Sequence, residues 1–363
     1  MTVAELENRA EMKTPVVRAL VDRLPRYTPG VGADAAEIAA LASNESHHAP
    51  LPSVLEAIAA TAGRINRYPD TTSGALRTAI AGHTGVDPDC VAVGAGSLGV
   101  FSDLVATMCN PGDEMVYAWR SFEAYPLVAR LAGVRATEVA LRRDESHDLP
   151  AMLAAITPRT RMVIICSPNN PTGVSVAAAE FSEFMRQVPR EVLVVIDAAY
   201  GEYVTDPSVL DAREAFGEYP NVAVLQTFSK AYGLAALRIG YVVARPEIAG
   251  GIRRVALPFA VNAVAQQAAI ASLAAVDELR DRVAEVIAER ARMVNELRAS
   301  GWQIGPSDAN FLWLRLSDDE GEYLVERCAD AGIVVRRYPG DGVRITLADN
   351  KTNDRVLEVL GGC

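Results

Sequence analysis

Five cysteines, at positions 90, 109, 166, 328 and 363, occur without any short paired spacing. That absence argues against a disulfide-stapled framework and leaves reduced thiols inside a cell as the simplest reading. Basic runs and arginine-rich helices are missing too. With 35 Lys and Arg against 46 Asp and Glu, the formal net charge is −11, which excludes a nonspecific nucleic-acid binder. No stretch reaches membrane-spanning length without charges, and residues 1–11 are acidic and lack an apolar signal core. A soluble cytoplasmic location, with no membrane partner, is the expectation. Internal repeats, low-complexity tracts and long linkers are absent. The one His-His pair, His47-His48, has no cysteine or acidic spacing nearby, so no metal site is expected.

What the chain does have is apolar patterning. At 363 residues with a 50% hydrophobic fraction, it is long enough for about two domains and a sizeable core. Residues 51–65 and 73–84 read as amphipathic helices, and from residue 90 to about 255 buried-type strands alternate with helices. That alternation predicts an α/β fold, with a mainly parallel sheet covered by helices. Residues 262–300 turn helical, and 311–314, 322–331, 333–335 and 343–346 suggest a smaller α+β unit. The expected division is a segment 1–44 that joins the small unit and covers the site, a large domain 45–255, and a small C-terminal domain 256–363.

The chemistry-bearing residues cluster at the ends of the expected strands. Lys230 in Thr227-Phe228-Ser229-Lys230-Ala231 is followed by Arg238. A lysine there can form an imine with an aldehyde cofactor, while Ser229 and Arg238 hold a phosphate. The apolar run 192–196 ends at Asp197, with Tyr200 three residues on. A carboxylate at the end of a buried parallel strand points into the crevice where open α/β sheets bind ligands. There it can keep a pyridine nitrogen protonated, with Tyr200 on a phenolic oxygen; in isolation it reads equally as a cap of the next helix. A second such strand, 162–166, leads into Ser167-Pro168-Asn169-Asn170-Pro171-Thr172-Gly173, a rigid turn presenting Asn170.

A third strand, 90–93, runs into Gly94-Ala95-Gly96-Ser97-Leu98-Gly99 and a helix expected over 100–108. Glycines such as Gly96 let backbone approach a phosphate, and a helix N-terminus offers free amides to it. Gly94, Gly96 and Gly99 also satisfy the dinucleotide-binding pattern. That pattern expects an acidic residue at the end of the next strand, which here ends in Ala118-Trp119-Arg120. A nicotinamide dehydrogenase is therefore disfavoured.

Taken together, these motifs resemble the fold-type I pyridoxal-phosphate aminotransferases, in the branch of histidinol-phosphate and actinobacterial aromatic amino acid aminotransferases. Further matching segments are Tyr27-Thr28-Pro29-Gly30, Ala42-Ser43-Asn44-Glu45, Arg67-Tyr68-Pro69-Asp70, Ala309-Asn310-Phe311 and Val343-Arg344-Ile345-Thr346. Residues 117–126, Tyr-Ala-Trp-Arg-Ser-Phe-Glu-Ala-Tyr-Pro, resemble the aromatic group more closely. The resemblance implies pyridoxal 5′-phosphate, a homodimer with a shared active site, and transamination between an aromatic α-amino acid and 2-oxoglutarate. Lys230 would be the Schiff-base lysine and proton carrier, Asp197 the partner of the ring nitrogen, and Tyr200 and Asn170 the partners of the phenolic oxygen. Ser97, the Leu98 amide, Ser229 and Arg238 would hold the phosphate, with Tyr68 reaching it from the other subunit. Phe122 would stack on the ring. Arg344 would clamp the substrate carboxylate, with Arg336 or Arg337 facing the distal end of the substrate and Tyr27 and Asn44 lining its site.

Three departures bear on the substrate. Ala198 stands where the family has Glu, Ser46-His47-His48-Ala49-Pro50 replaces a glycine-proline or aromatic-proline step, and Leu98-Gly99 replaces acidic residues. The alternatives left open are histidinol-phosphate transamination, a specialised decarboxylation, elimination or cyclisation, and a noncatalytic pyridoxal-binding protein.

Overall fold

The computed structural model describes residues 16–22 and 38–361; Tyr27 and Cys363 lie outside them, as does most of the expected 1–44 segment. The first strand, β1 (Ala39–Ala40), is followed by seven strands of one sheet: β2 (Val91–Ala95), β3 (Glu114–Trp119), β4 (Arg135–Ala140), β5 (Thr160–Cys166), β6 (Leu193–Asp197), β7 (Val222–Thr227) and β8 (Ile239–Val243). Their spatial order is β2-β8-β7-β6-β5-β3-β4. Every neighbouring pair is parallel except those of β8, which runs antiparallel to β2 and β7. Buried on both faces, β5 and β6 read in sequence as continuous apolar runs rather than alternating ones.

The alternating residues of β6 feed two separate cores. Val194 and Ile196 join one apolar cluster, and Leu193 and Val195 join the other. The fold is thus the α/β layer arrangement that the strand–helix alternation predicted. Register decides where the functional side chains arrive. Cys166 pairs with Asp197, and Asp197 with Leu225, so β5, β6 and β7 end side by side. The turn carrying Asn170, the Asp197 carboxylate, and Ser229-Lys230 therefore leave three adjacent strand ends at the carboxyl edge of the sheet.

The remaining strands are β9 (Phe311–Arg315), β10 (Ile333–Val334), β11 (Arg336–Tyr338) and β12 (Gly342–Thr346). β11, β12 and β9 make an antiparallel sheet, in that order. β1 pairs in parallel with β10, and the Thr346 amide donates to the Leu41 carbonyl, which ties residues 39–41 to this C-terminal unit. The helical stretch expected over 262–300 is two helices, Ala263–Ala274 and Val276–Ala299. The first lies beyond the expected boundary at 255, yet it packs against Pro52–Ala62 and Gly74–Thr84. Its small side chains, Ala265, Ala268 and Ala269, are fully buried and permit that close approach.

Among the described residues no helix is long and apolar enough to cross a membrane.

Candidate active site

At the carboxyl edge of the sheet lies a cleft of about 590 Å³, within the range of small-ligand pockets. Asn44, Ser97, Leu98, Phe122, Asn170, Asp197, Tyr200, Ser229, Lys230, Arg238, Arg336 and Arg344 all line it. These residues come from both sheets and from the segment between β1 and Pro52. Tyr68 lines no part of this cleft; it is 81% exposed and stacks on Phe259 at 4.3 Å. His47 and His48 are also outside the lining. His48 faces Glu285 at 3.6 Å, on the helix Val276–Ala299.

Lys230 Nζ donates to the Ser43 carbonyl at 2.8 Å. Burial, and then the positive charge of Arg344, pushes its amine down from the usual range to about 7, against the pull of Glu45. Near neutral pH it is therefore substantially an uncharged amine, the form that is both nucleophile and base. Asp197 is 5% exposed. Burial raises its pKa, opposed by the hydrogen bond from Tyr125 and by the Ala199 amide. Among the described residues no cationic side chain forms an ion pair with it.

On one side of the cleft, Asn44 Nδ2 donates to Tyr200 Oη at 2.9 Å, which leaves the tyrosine proton free to donate elsewhere. Asn44 is itself fixed by Thr346, whose Oγ1 donates to its Oδ1 at 3.1 Å. The backbone of Asn44 is left-handed, with φ 55°, a conformation Asn tolerates better than most residues. Arg344, 5% exposed on β12, donates to the Ala42 carbonyl at 2.6 Å and to Asn170 Oδ1, and its Nε has no hydrogen-bond partner among the described residues. Arg336 Nη2 is paired with Glu123 Oε2 at 2.9 Å, so it spans the mouth between β11 and the segment that carries Phe122.

The glycine-rich turn differs from the sequence expectation in one respect. The helix begins at Gly96 rather than Val100, and it runs to Met108. Gly96 has a φ of 75°, open to glycine, and a Cβ there would stand 2.6 Å from Arg238 Nη2. Ser97 and Leu98 consequently lie in the first helical turn, whose amides have no side-chain cap. Arg238 faces this turn with a left-handed backbone, φ 52°, which is uncommon for a bulky residue and clusters at functional sites. An uncapped helix N-terminus, two serine hydroxyls and a guanidinium make a cradle for a phosphate.

Sequence reasoning missed several members of the site. Ser43 and Ala42 contribute carbonyls, Glu123 and Tyr338 line the mouth, and Tyr125 donates to Asp197. Only Tyr125 left a legible signal, since it lies three residues after Phe122 and carries a hydroxyl that burial obliges to find a partner.

Comparison with known proteins agrees with this geometry. The family described as "Aminotransferase class I and II" matches residues 36–360. An aromatic amino acid aminotransferase of Thermobifida fusca is 49% identical over 353 residues, covering 96% of this chain and 98% of the relative. One from Streptomyces coelicolor is 46% identical, covering 95% and 97%. Among solved structures, histidinol-phosphate aminotransferase from Sinorhizobium meliloti, in complex with pyridoxal-5′-phosphate, superposes with a TM-score of 0.86 at 30% identity over 95% of this chain and 96% of that one.

Proposed function

Because the chain belongs to the aminotransferase class I and II family, we propose that it moves the amino group of an aromatic α-amino acid to 2-oxoglutarate, using pyridoxal 5′-phosphate held in the cleft around Lys230. The observation that carries this reading is one cleft lined by both Lys230 and the buried carboxylate of Asp197, with which no cationic side chain among the described residues forms an ion pair. The residues present fit the cofactor. The cradle of Ser97, Leu98, Ser229 and Arg238 suits its phosphate, Asp197 its ring nitrogen, and Tyr200 and Asn170 its phenolic oxygen. Phe122, which lines the cleft, would cover one face of the ring. Bound there, the cofactor supplies an electron sink for the charge that develops when the substrate loses its α-proton.

The chain's own residues do the rest. Arg344 presents a planar fork that suits the α-carboxylate of either substrate. Lys230 Nζ, its basicity lowered by burial, would take the α-proton and deliver it to the cofactor's former aldehyde carbon, so that the substrate leaves as a keto acid. The Asp197 carboxylate would hold positive charge on the ring nitrogen, and the Tyr200 hydroxyl, oriented by Asn44, would donate to the ring oxygen. The mouth residues Arg336, Glu123 and Tyr338 limit access of water and meet the substrate side chain. The names of the relatives support an aromatic donor over histidinol phosphate. A dimer is part of this reading, with Tyr68 serving the cofactor of the neighbouring subunit and the segment 1–44 joining the small unit 256–363 and covering the site.

The test is a comparison of kcat/KM for phenylalanine, tyrosine, tryptophan and histidinol phosphate with 2-oxoglutarate as acceptor. An aromatic donor should lead by about tenfold or more, as expected for discrimination through a pocket contact. A preference for histidinol phosphate, or carbon dioxide release in place of a keto-acid product, would reassign the substrate or the reaction.

A further inference from the structure

Tyr125 does not line the cleft, although its placement is tightly constrained. It stands in the helix Ala124–Ala132, is 1% exposed, and donates its hydroxyl proton to Asp197 Oδ2 at 2.6 Å. Its ring packs against Phe101 at 5.4 Å, Tyr117 at 5.7 Å and Phe122 at 5.6 Å, which leaves the phenol little freedom to turn away. The other carboxylate oxygen of Asp197 accepts from the Ala199 amide at the longer distance of 3.3 Å. Burial first, and then the charge of Asp197, hold the phenol well above its ordinary pKa, so Tyr125 remains a donor.

We propose that Tyr125 is a positioning residue, whose hydrogen bond keeps Asp197 ionised and aimed so that the carboxylate, rather than a carboxylic acid, meets the ring nitrogen of the cofactor. The inference rests on the proposed cofactor and adds to it a residue that acts through Asp197. A carboxylate enclosed by protein holds a proton more tightly than one in water, and a short bond from a donor opposes this by favouring the charged form. In a carboxylate–pyridine pair the proton can sit on either partner, and the less basic carboxylate leaves it on the ring. Without the Tyr125 hydroxyl the proton shifts toward Asp197, and the ring loses its positive charge. Tyr125 also packs edge-on to Phe122, so this role has to be separated from simple packing.

The separating experiment uses apoprotein and two ligands, pyridoxal 5′-phosphate and its analogue with the ring nitrogen replaced by C–H. Tyr125→Phe keeps the ring and its packing and removes only the donor. The variant should bind pyridoxal 5′-phosphate about tenfold more weakly or worse, in line with the loss of a hydrogen bond to a charged group. Affinity for the analogue should be unchanged. The acid–base midpoint of the bound cofactor's visible spectrum should also rise, because a neutral ring no longer repels a proton held close to it. Unchanged affinity for both ligands, or an equal loss for both, would overturn the proposal and leave Tyr125 a packing residue. Wild-type apoprotein is the control: if it takes up neither ligand, the cofactor reading itself fails, which is a different outcome from a variant that matches wild type.

Discussion

Arg344 faces the cleft with its terminal nitrogens already engaged, one on the Ala42 carbonyl and one on Asn170 Oδ1. A substrate carboxylate that enters must draw on the same planar fork or on the unpartnered Nε, and a lysine offers neither geometry. Arg344→Lys should therefore weaken the amino acid and keto acid alike by roughly 1.5 to 3 kcal/mol, the range for hydrogen bonds to charged groups. Steady-state KM values for both substrates check this, and an unchanged pair would move the carboxylate site to Arg336. Lys230, Asp197 and Asn170 were legible in the sequence because each stands in an ordered motif at or just after a strand end, and Arg344 because it stands in one within a strand. Tyr125 was legible only as a hydroxyl three residues after Phe122, and Glu123 and Ser43 were not legible. Their partners lie 72, 213 and 187 residues away, and no local pattern encodes a pairing at that range.

At the scale of the element, the strand–turn–helix around Gly96 shows how little space the phosphate cradle leaves. Gly96→Ala would set a methyl 2.6 Å from Arg238 Nη2 on a backbone that L side chains rarely adopt, so the guanidinium or the turn must move. Cofactor affinity should fall by about tenfold or more for the loss of a charge-assisted contact, with the far-UV spectrum preserved. Equilibrium titration of apoprotein measures it, and wild-type affinity would mean that the phosphate binds elsewhere.

A second element-level test concerns Glu202, just after the strand that ends at Asp197. Its carboxyl borders a separate cavity of about 560 Å³, also lined by Val224, Gln226, Tyr241 and Val243 of β7 and β8. Its Oε2 has no hydrogen-bond partner among the described residues, and burial raises its pKa from 4.5 to about 7. A carboxyl whose folded pKa is raised gives stability that is fully present below its unfolded pKa and is lost as pH rises through the folded value. Glu202→Gln should thus gain thermal stability relative to wild type progressively between pH 4.5 and about 7, then hold that gain at higher pH. A pH-independent difference in Tm would show that the carboxyl is solvated. The strands and most helices were readable from apolar runs and periodicity. The helix start at Gly96 was not, because glycine propensity argues against helix and only the tertiary contact with Arg238 and β8 explains it.

For the whole molecule, the exposed Tyr68–Phe259 stack is accompanied by Ile65 and Leu257, 71% and 77% exposed, in the segments that come after Pro52–Ala62 and before Ala263–Ala274. In the dimeric reading this apolar surface meets a second copy, and Tyr68 completes the neighbour's site. Tyr68→Ala and Lys230→Ala chains, unfolded and refolded together, should then regain activity above the sum of the two parents, since one composite site per mixed dimer is intact. Purely additive activity would make each site self-contained. The sequence made the α/β class legible through its strand–helix alternation. The division near residue 255 was harder to read, because Ala263–Ala274 runs almost directly into the helix Val276–Ala299 while packing on Pro52–Ala62. The claim on which everything else depends is that Lys230 captures the cofactor. Apoprotein mixed with pyridoxal 5′-phosphate should gain a visible absorption band that borohydride bleaches, leaving the cofactor covalently on the peptide that contains Lys230, while Lys230→Ala retains some binding through the phosphate cradle but gains no such link and no turnover. A wild-type protein that stays colourless, or a label found on another residue, would contradict the account.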